Sequence, residues 1–419
     1  MYNEKKEQQM SVIGPLSGVR ILDISQAVAG PSASQILGDM GAEVIKIESL
    51  SGEVLRGIVP KLGNNSQLSY WVLAINRNKK CITLDLYTPS GQQAFYDLVK
   101  VSDVVLDNFR SGSMGRLGAD YESLRRINKK IICCSINGYG SSGPYAEFPS
   151  ADVPAQAISG LAGLCGEPGG KPIMSAAATC DVGSGLYAAM AIGFALYARG
   201  CTGEGRKIEI SLLDVGMSFI QNMFQHYFVT GKLPIPQGSL HTVDSTFGFH
   251  KTRDGFIGVQ PSWPRIARVV NKEWMIDDPR FKDLSSRIEN RDILVKELAE
   301  SFAQENTDVW VELLRAADIG CGPVNTLDKV VADPQVRHNQ AVIEMEHPSY
   351  GKMSAIDCPI KMPGSIQRSY SAPPLVGEHT DEILKGLLGY TDEKVQKIKK
   401  DQMDHFEQLK ENHLSKLRF

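Results

Sequence analysis

Aromatic residues make up only 7% of the 419-residue chain, cysteines number eight, and the formal net charge is −3. Each scarcity excludes something. A near-neutral balance gives no field that would steer the protein to nucleic acid or to an anionic membrane. The cysteines, at 81, 133, 134, 165, 180, 201, 321 and 358, include no two-residue gap of a zinc knuckle or redox motif. A chain this long needs no disulfide staples either. The eight histidines are scattered without HExxH and the carboxylates do not cluster, so no metal is expected. A GxxxxGK(S/T) loop for a nucleoside triphosphate is lacking, as is the GxSxG elbow of a serine hydrolase. The opening MYNEKKEQQM is polar and lacks the apolar core of a secretory signal. The expectation is a cytoplasmic protein with reduced, mostly buried thiols and neither a nucleic-acid nor a membrane partner.

Long apolar runs are also few. Val182 to Ala198 carries no charge, but it falls short of the roughly 20 residues of a spanning helix and has Asp181 and Arg199 at its ends. It reads as a fully buried helix of the protein core.

What is present is an alternation of strands and helices. Gly18–Ile24 is an apolar, β-branched run; AVAGPSASQILGDMG gives a turn and then a helical pattern; AEVIKIE alternates like a strand. CITLDL, the helical SGQQAFYDLVKVS and DVVLDNF repeat the unit, followed by a helical YESLRRIN and the strand KKIICCSIN. This order predicts an α/β fold, a Rossmann-like large domain with a mostly parallel sheet covered by helices. Residues 16–225 are assigned to that domain. A turn-rich stretch with a hairpin pattern at FGFHKTRDGFIGVQ and several polar helices predicts a smaller α+β domain over 230–325. A strand-rich return to the large domain is placed at 326–390, and 391–419 reads as a charged amphipathic helix. Val395, Ile398, Met403, Phe406 and Leu409 form its expected apolar stripe.

Two features bear on chemistry. Gly138-Tyr139-Gly140-Ser141-Ser142-Gly143 fits GxGxxG after a strand, but Pro144 follows and no helix opens at the last glycine. A dinucleotide fingerprint needs that helix, so NAD or FAD is not expected, and the segment reads as a loop that lets a ligand approach the backbone. Asp181 is a lone carboxylate between small residues and the start of the long apolar helix. It reads first as a helix N-cap, and a carboxylate kept ionised there would also be kept nucleophilic. Gly183 and Gly185 are expected to leave room beside it for a bulky substrate.

The chain resembles the class III CoA-transferases, the group that includes formyl-CoA:oxalate and carnitine CoA-transferases. The likeness runs from about Leu16 to Tyr390. It rests on AGP at Ala29–Pro31, GAEVIKIE at Gly41–Glu48, NRNK at Asn76–Lys79, LDL at Leu84–Leu86, DNFRSG at Asp107–Gly112 and RLG at Arg116–Gly118. The GYG…GP loop at Gly138–Pro144, QAISG at Gln156–Gly160, GEPGGKP at Gly166–Pro172, TGEG at Thr202–Gly205 and GEHTDEIL at Gly377–Leu384 complete it.

The resemblance implies the class III fold in an interlocked homodimer, a heteromer with a paralogue being the other arrangement. It implies Asp181 as the nucleophile, with acyl-CoA and a carboxylic acid as substrates and no permanently bound cofactor. Succinyl-CoA is one candidate donor. Coenzyme A contacts are implied at Gln26, Ala27, Val28, Leu84, Asn108, Phe109, Arg110, Arg116 and Asn137. Tyr87 and Asn137 stand where a basic residue can occur in the family, which leaves Arg110 and Arg116 for the phosphates. Arg206 replaces the usual glutamine after TGEG, and no glycine run occurs in the second domain, which argues against formate or oxalate chemistry. An α-methylacyl-CoA racemase shares the fold and the aspartate but needs a second base. Ala151 stands where its histidine would be. A non-catalytic CoA-binding subunit is the remaining alternative.

Overall fold

A computed structural model describes residues 14–63, 66–362 and 370–416, so residues 363–369 and 417–419 of the two C-terminal segments lie outside the described residues. The described residues form two compact units. One runs through residue 159, then 176–220, then from 340 onward; the other comprises 160–175 and 221–339.

The first unit is built on a sheet of six parallel strands. β1 (Arg20–Asp23), β2 (Glu43–Glu48), β3 (Lys79–Thr83), β4 (Val104–Asp107), β5 (Ile132–Asn137) and β6 (Lys207–Ser211) lie in the order β3-β2-β1-β4-β5-β6. Leu22 pairs with Ile45 on one side and Val105 on the other, and all three are fully buried. Runs of Ile, Leu and Val covered on both faces are what a parallel sheet requires.

Six helices position the site or its supports. α1 (Ala29–Asp39) follows β1, and α2 (Pro89–Lys100) starts at a Thr88 cap that accepts the Gly91 N–H, with Pro89 at its first turn. α3 (Asp152–Ile158), α4 (Thr179–Thr202) and α5 (Leu212–Phe219) come next, and α6 (Asp392–Lys416) ends the chain. Arg199, near the far end of α4, pairs with Asp103 at 2.8 Å and donates to the Lys130 carbonyl. After α5 the chain leaves the first unit; Val342–His347 and Gly351–Ile356 later form an antiparallel hairpin within it.

Two expectations are corrected here. α4 is not fully buried: Leu186, Met190, Phe194 and Tyr197 form an exposed stripe. Apart from Ile192, its buried face consists of small residues that let neighbouring helices approach. A Cβ on Gly185 would lie 2.7 Å from the Ala29 carbonyl oxygen, and one on Gly183 would lie 2.4 Å from the Phe219 ring. These glycines serve helix packing and are not room for substrate. In α6, Val395, Ile398 and Gln402 are buried whereas Met403 and Leu409 are exposed. The packed face follows positions 395, 398, 402 and 405 at helical spacing; Gln402 is buried there without a hydrogen-bond partner among the described residues, whereas His405 pairs with Asp85.

The second unit has its own core. A hairpin of Gly248–Lys251 and Phe256–Val259 turns at Asp254 and Gly255, and Cys321–Pro323 adds a third strand. Leu294, Leu298 and Phe302 recur every fourth residue along Arg291–Phe302 and pack with Trp310 and Leu314. The Trp310 indole N–H donates to the Phe302 carbonyl at 2.8 Å.

Candidate active site

In an open parallel sheet, ligands bind beyond the carboxyl ends of the strands where the strand order reverses. Here the reversal falls between β1 and β4. The loop after β1 carries Gln26, Ala27 and Val28, and the loop after β4 carries Asn108, Phe109 and Arg110. The Asn108 side chain joins the two: Oδ1 accepts the Gln26 N–H at 2.8 Å and Nδ2 donates to the Gln26 carbonyl at 2.6 Å. Ala27 has a left-handed backbone, with φ of 58°, and its N–H donates to Glu53 Oε2 at 3.1 Å.

Beneath this loop lies a buried network of charges. Lys79 approaches Asp23 at 3.3 Å, Lys46 approaches Glu53 at 3.9 Å, and Arg56 pairs with Glu48 at 2.7 Å. Lys46 also donates to the Ser25 carbonyl, Lys79 to the Pro31 carbonyl, and Asn76 to Glu53. Burial alone would raise the Asp23 carboxyl, but Lys46 and Lys79 outweigh it and bring it down to about 2. Burial lowers Lys79 to about 8, whereas Lys46, buried as deeply, is raised by Asp23 and Glu53. Such a network costs desolvation and is repaid only by close pairing. Its product is a fixed loop.

Three cavities open along these strand ends. The first, about 290 Å³, is walled by Ile24, Ile47, Leu84 and Phe109 with Gln26, Glu53, Asp85 and Tyr87 among its polar lining. A second, about 130 Å³, is lined by Ala27, Val28, Asn108, Phe109, Arg110, Asn137, Gly138, Phe148, Ala151 and Asp181. The third, about 300 Å³, shares Phe109, Arg110 and Asn137 and adds Asp107, Ser135 and Lys207. Burial pushes Asp107 up to about 6.

Asp181 stands in the first turn of α4, but it is not the cap. The N-cap position is Ala178, and the exposed N–H groups are taken by a residue from another helix. Asp152 Oδ1 accepts from Cys180 N at 2.7 Å and from Asp181 N at 3.2 Å, while its Oδ2 accepts from Gln156 Nε2 at 2.5 Å. The Asp181 carboxylate receives no cation and no hydrogen-bond donor among the described residues. Burial first, and the neighbouring Asp152 charge second, push it up to about 7.

The structure therefore gathers Asp181, Ala27, Val28, Asn108, Phe109, Arg110 and Asn137 around one cavity, and Gln26, Leu84 and Phe109 around the next. Arg116 lines neither. It is exposed on the short helix Ser113–Arg116 and donates to Ser113 Oγ, itself a lining group of the first cavity. Asn108 is committed to the Gln26 backbone, and Asn137 Oδ1 accepts the Gly140 N–H. The GxGxxG stretch is a loop, with Gly140 and Gly143 at positive φ and no helix following. Asp152, Glu53 and Phe148 escaped the sequence reading. Asp152 precedes Asp181 by 29 residues, and only its place beside Ala151, just before the QAISG segment, hinted at it.

The family model for CoA-transferase family III matches residues 16–380. The chain is 34% identical to the human succinyl-CoA:glutarate CoA-transferase, covering 94% of this chain and 90% of that protein. It is 31% identical to the formyl-CoA:oxalate CoA-transferase of Rhodopseudomonas palustris, covering 91% and 96%. Among solved structures, a CAIB/BAIF family protein from Brucella suis superposes with a TM-score of 0.80 at 31% identity, over 90% of this chain and 99% of that one. By the extent of these likenesses, the chain belongs to CoA-transferase family III.

Proposed function

We propose that this enzyme transfers coenzyme A from an acyl-CoA to a carboxylic acid, with Asp181 as nucleophile. The carrying observation is an unpaired, partly buried carboxylate lining a small cavity at the switch point of the sheet. The carboxylate attacks the thioester carbonyl, the C–S bond breaks, and a mixed anhydride and CoA thiolate result. The thiolate then attacks the aspartyl carbonyl, releasing the donor acid and leaving an aspartyl-CoA thioester. An acceptor carboxylate displaces the thiolate to form a second anhydride. Return of the thiolate to the acceptor carbonyl releases the new acyl-CoA and restores the Asp181 carboxylate. Every step exchanges one activated acyl bond for another, so no ATP is consumed.

The apolar-walled cavity of about 290 Å³ suits the nucleotide end of coenzyme A, and that of about 130 Å³ suits the acyl end. The latter is well below the roughly 300–1,000 Å³ of sites for drug-sized ligands, which favours short acids. The named relatives act on succinyl-CoA with glutarate and on formyl-CoA with oxalate. A short dicarboxylic acid is the acceptor class we assign, with succinyl-CoA as donor. Ala151 lines the Asp181 cavity and no imidazole does among the described residues, which supports transfer over racemisation. The exposed Leu186–Tyr197 stripe of α4 supports burial against a second copy, in the interlocked homodimer that the resemblance implies.

Intact-protein mass spectrometry after mixing with short acyl-CoAs tests the chemistry. The expected result is a CoA or acyl adduct on Asp181 that hydroxylamine removes. Binding of every acyl-CoA without an adduct, under turnover conditions, would sink the covalent route.

A further inference from the structure

α6 begins at Asp392, beyond the residues matched by the family model, and touches Asp85, a residue that lines the first cavity. Val395 and Ile398 anchor it in the core beside the sheet. Further along the same face, His405 Nδ1 lies 2.5 Å from Asp85 Oδ2. An ionised carboxylate only accepts hydrogen bonds, so Nδ1 carries the proton. The other oxygen, Asp85 Oδ1, accepts the Tyr87 N–H at 2.9 Å in a local turn. One carboxylate thus ties α6 to the backbone of Tyr87. Asp85 and Tyr87 both line the first cavity, and the Tyr87 ring is 74% exposed and 6.2 Å from the His405 ring.

A ring this exposed, at the lip of an apolar-walled cavity, has a face to offer. Purine bases stack on such faces, and the interaction needs no particular hydrogen-bond pattern. We infer that Tyr87 stacks on the purine of the bound acyl-CoA, and that His405, acting through Asp85, is its positioning residue. This rests on the reading that the first cavity takes the nucleotide end.

The test compares an acyl-CoA with the acyl-pantetheine of the same acid in steady-state kinetics of the full chain. Tyr87→Ala raises KM for the acyl-CoA about tenfold, the loss of one base stack, and leaves kcat unchanged. It leaves KM for the acyl-pantetheine where it was. His405→Leu shows the same pattern more weakly, and His405→Asn, which keeps a nitrogen donor near the Nδ1 position, restores it. Tyr87 is exposed, so its replacement leaves folding intact and the outcome readable. Equal effects on both esters, or none on the acyl-CoA, overturn the inference. Ser49→Trp, at an exposed residue lining the same cavity, separates the two levels. If it raises KM for the acyl-CoA while Tyr87→Ala does not, the stacking role fails alone; if neither acts, the nucleotide does not bind there.

Discussion

Asp23 and Asp181 are carboxylates of the same unit, both close to the strand ends, and folding moves them in opposite directions. Asp23 is the more deeply buried, yet two lysines hold it at about 2, and Ser25 and Ser34 donate to it as well. Asp181 meets no cation among the described residues, and burial together with the Asp152 charge raises it to about 7. Burial therefore does not distinguish a structural carboxylate from a reactive one; the company of each does. The paired group fixes a loop, and the unpaired one is the nucleophile we propose.

The sharpest break of this comparison is Asp181→Asn. Turnover should fall by about 10³-fold or more, as for removal of other covalent nucleophiles, with acyl-CoA binding retained in calorimetry. The same variant should be more stable than wild type at pH 8. A carboxyl whose folded pKa exceeds its unfolded value loses stability as pH rises from about 4 to 7, and asparagine has no proton to lose. Equal melting temperatures at pH 8 would contradict the raised value.

Asp23→Ala acts on the other side. It leaves Lys46 and Lys79 buried without their shared partner and should cost about 3–5 kcal/mol in a denaturation series. A loss under 1 kcal/mol would show that the network is slack.

Asp152→Asn should have the smallest effect. The asparagine oxygen still caps α4, but the negative charge is gone, so the acid limb of the kcat/KM profile, near pH 7 in wild type, moves to lower pH. The ionised nucleophile is the active form, and removing a like charge favours it. A limb that stays in place would mean that burial alone sets Asp181.

Much of the architecture was legible because β-branched runs alternate with helical stretches through Ser211, and Pro144 disqualified the glycine motif. Asp181 as a candidate nucleophile came only through the resemblance, since a lone aspartate before an apolar helix reads as a cap. What stayed hidden were relations across the chain. The link from Lys79 to Asp23 spans 56 residues and that from His405 to Asp85 spans 320, and no periodicity reports either. The two misread helices share one cause. An uncharged run does not say which of its faces is covered, and a packed face that includes Gln402 and His405 does not look apolar.

The long helix that bears Asp181 is held at both ends, by Asp152 at its start and by Asp103 and Lys130 at Arg199. At about 1.5 Å per residue, the carboxylate stands roughly 27 Å from that distal clamp. Regarded as a lever, the helix turns a small tilt at Arg199 into a lateral displacement at its tip. A 1 Å misplacement of a reacting group can cost about 100-fold in rate. Surface changes around Asp103 and Lys130, far from Asp181, are thus places where the position of that carboxylate can be tuned from a distance.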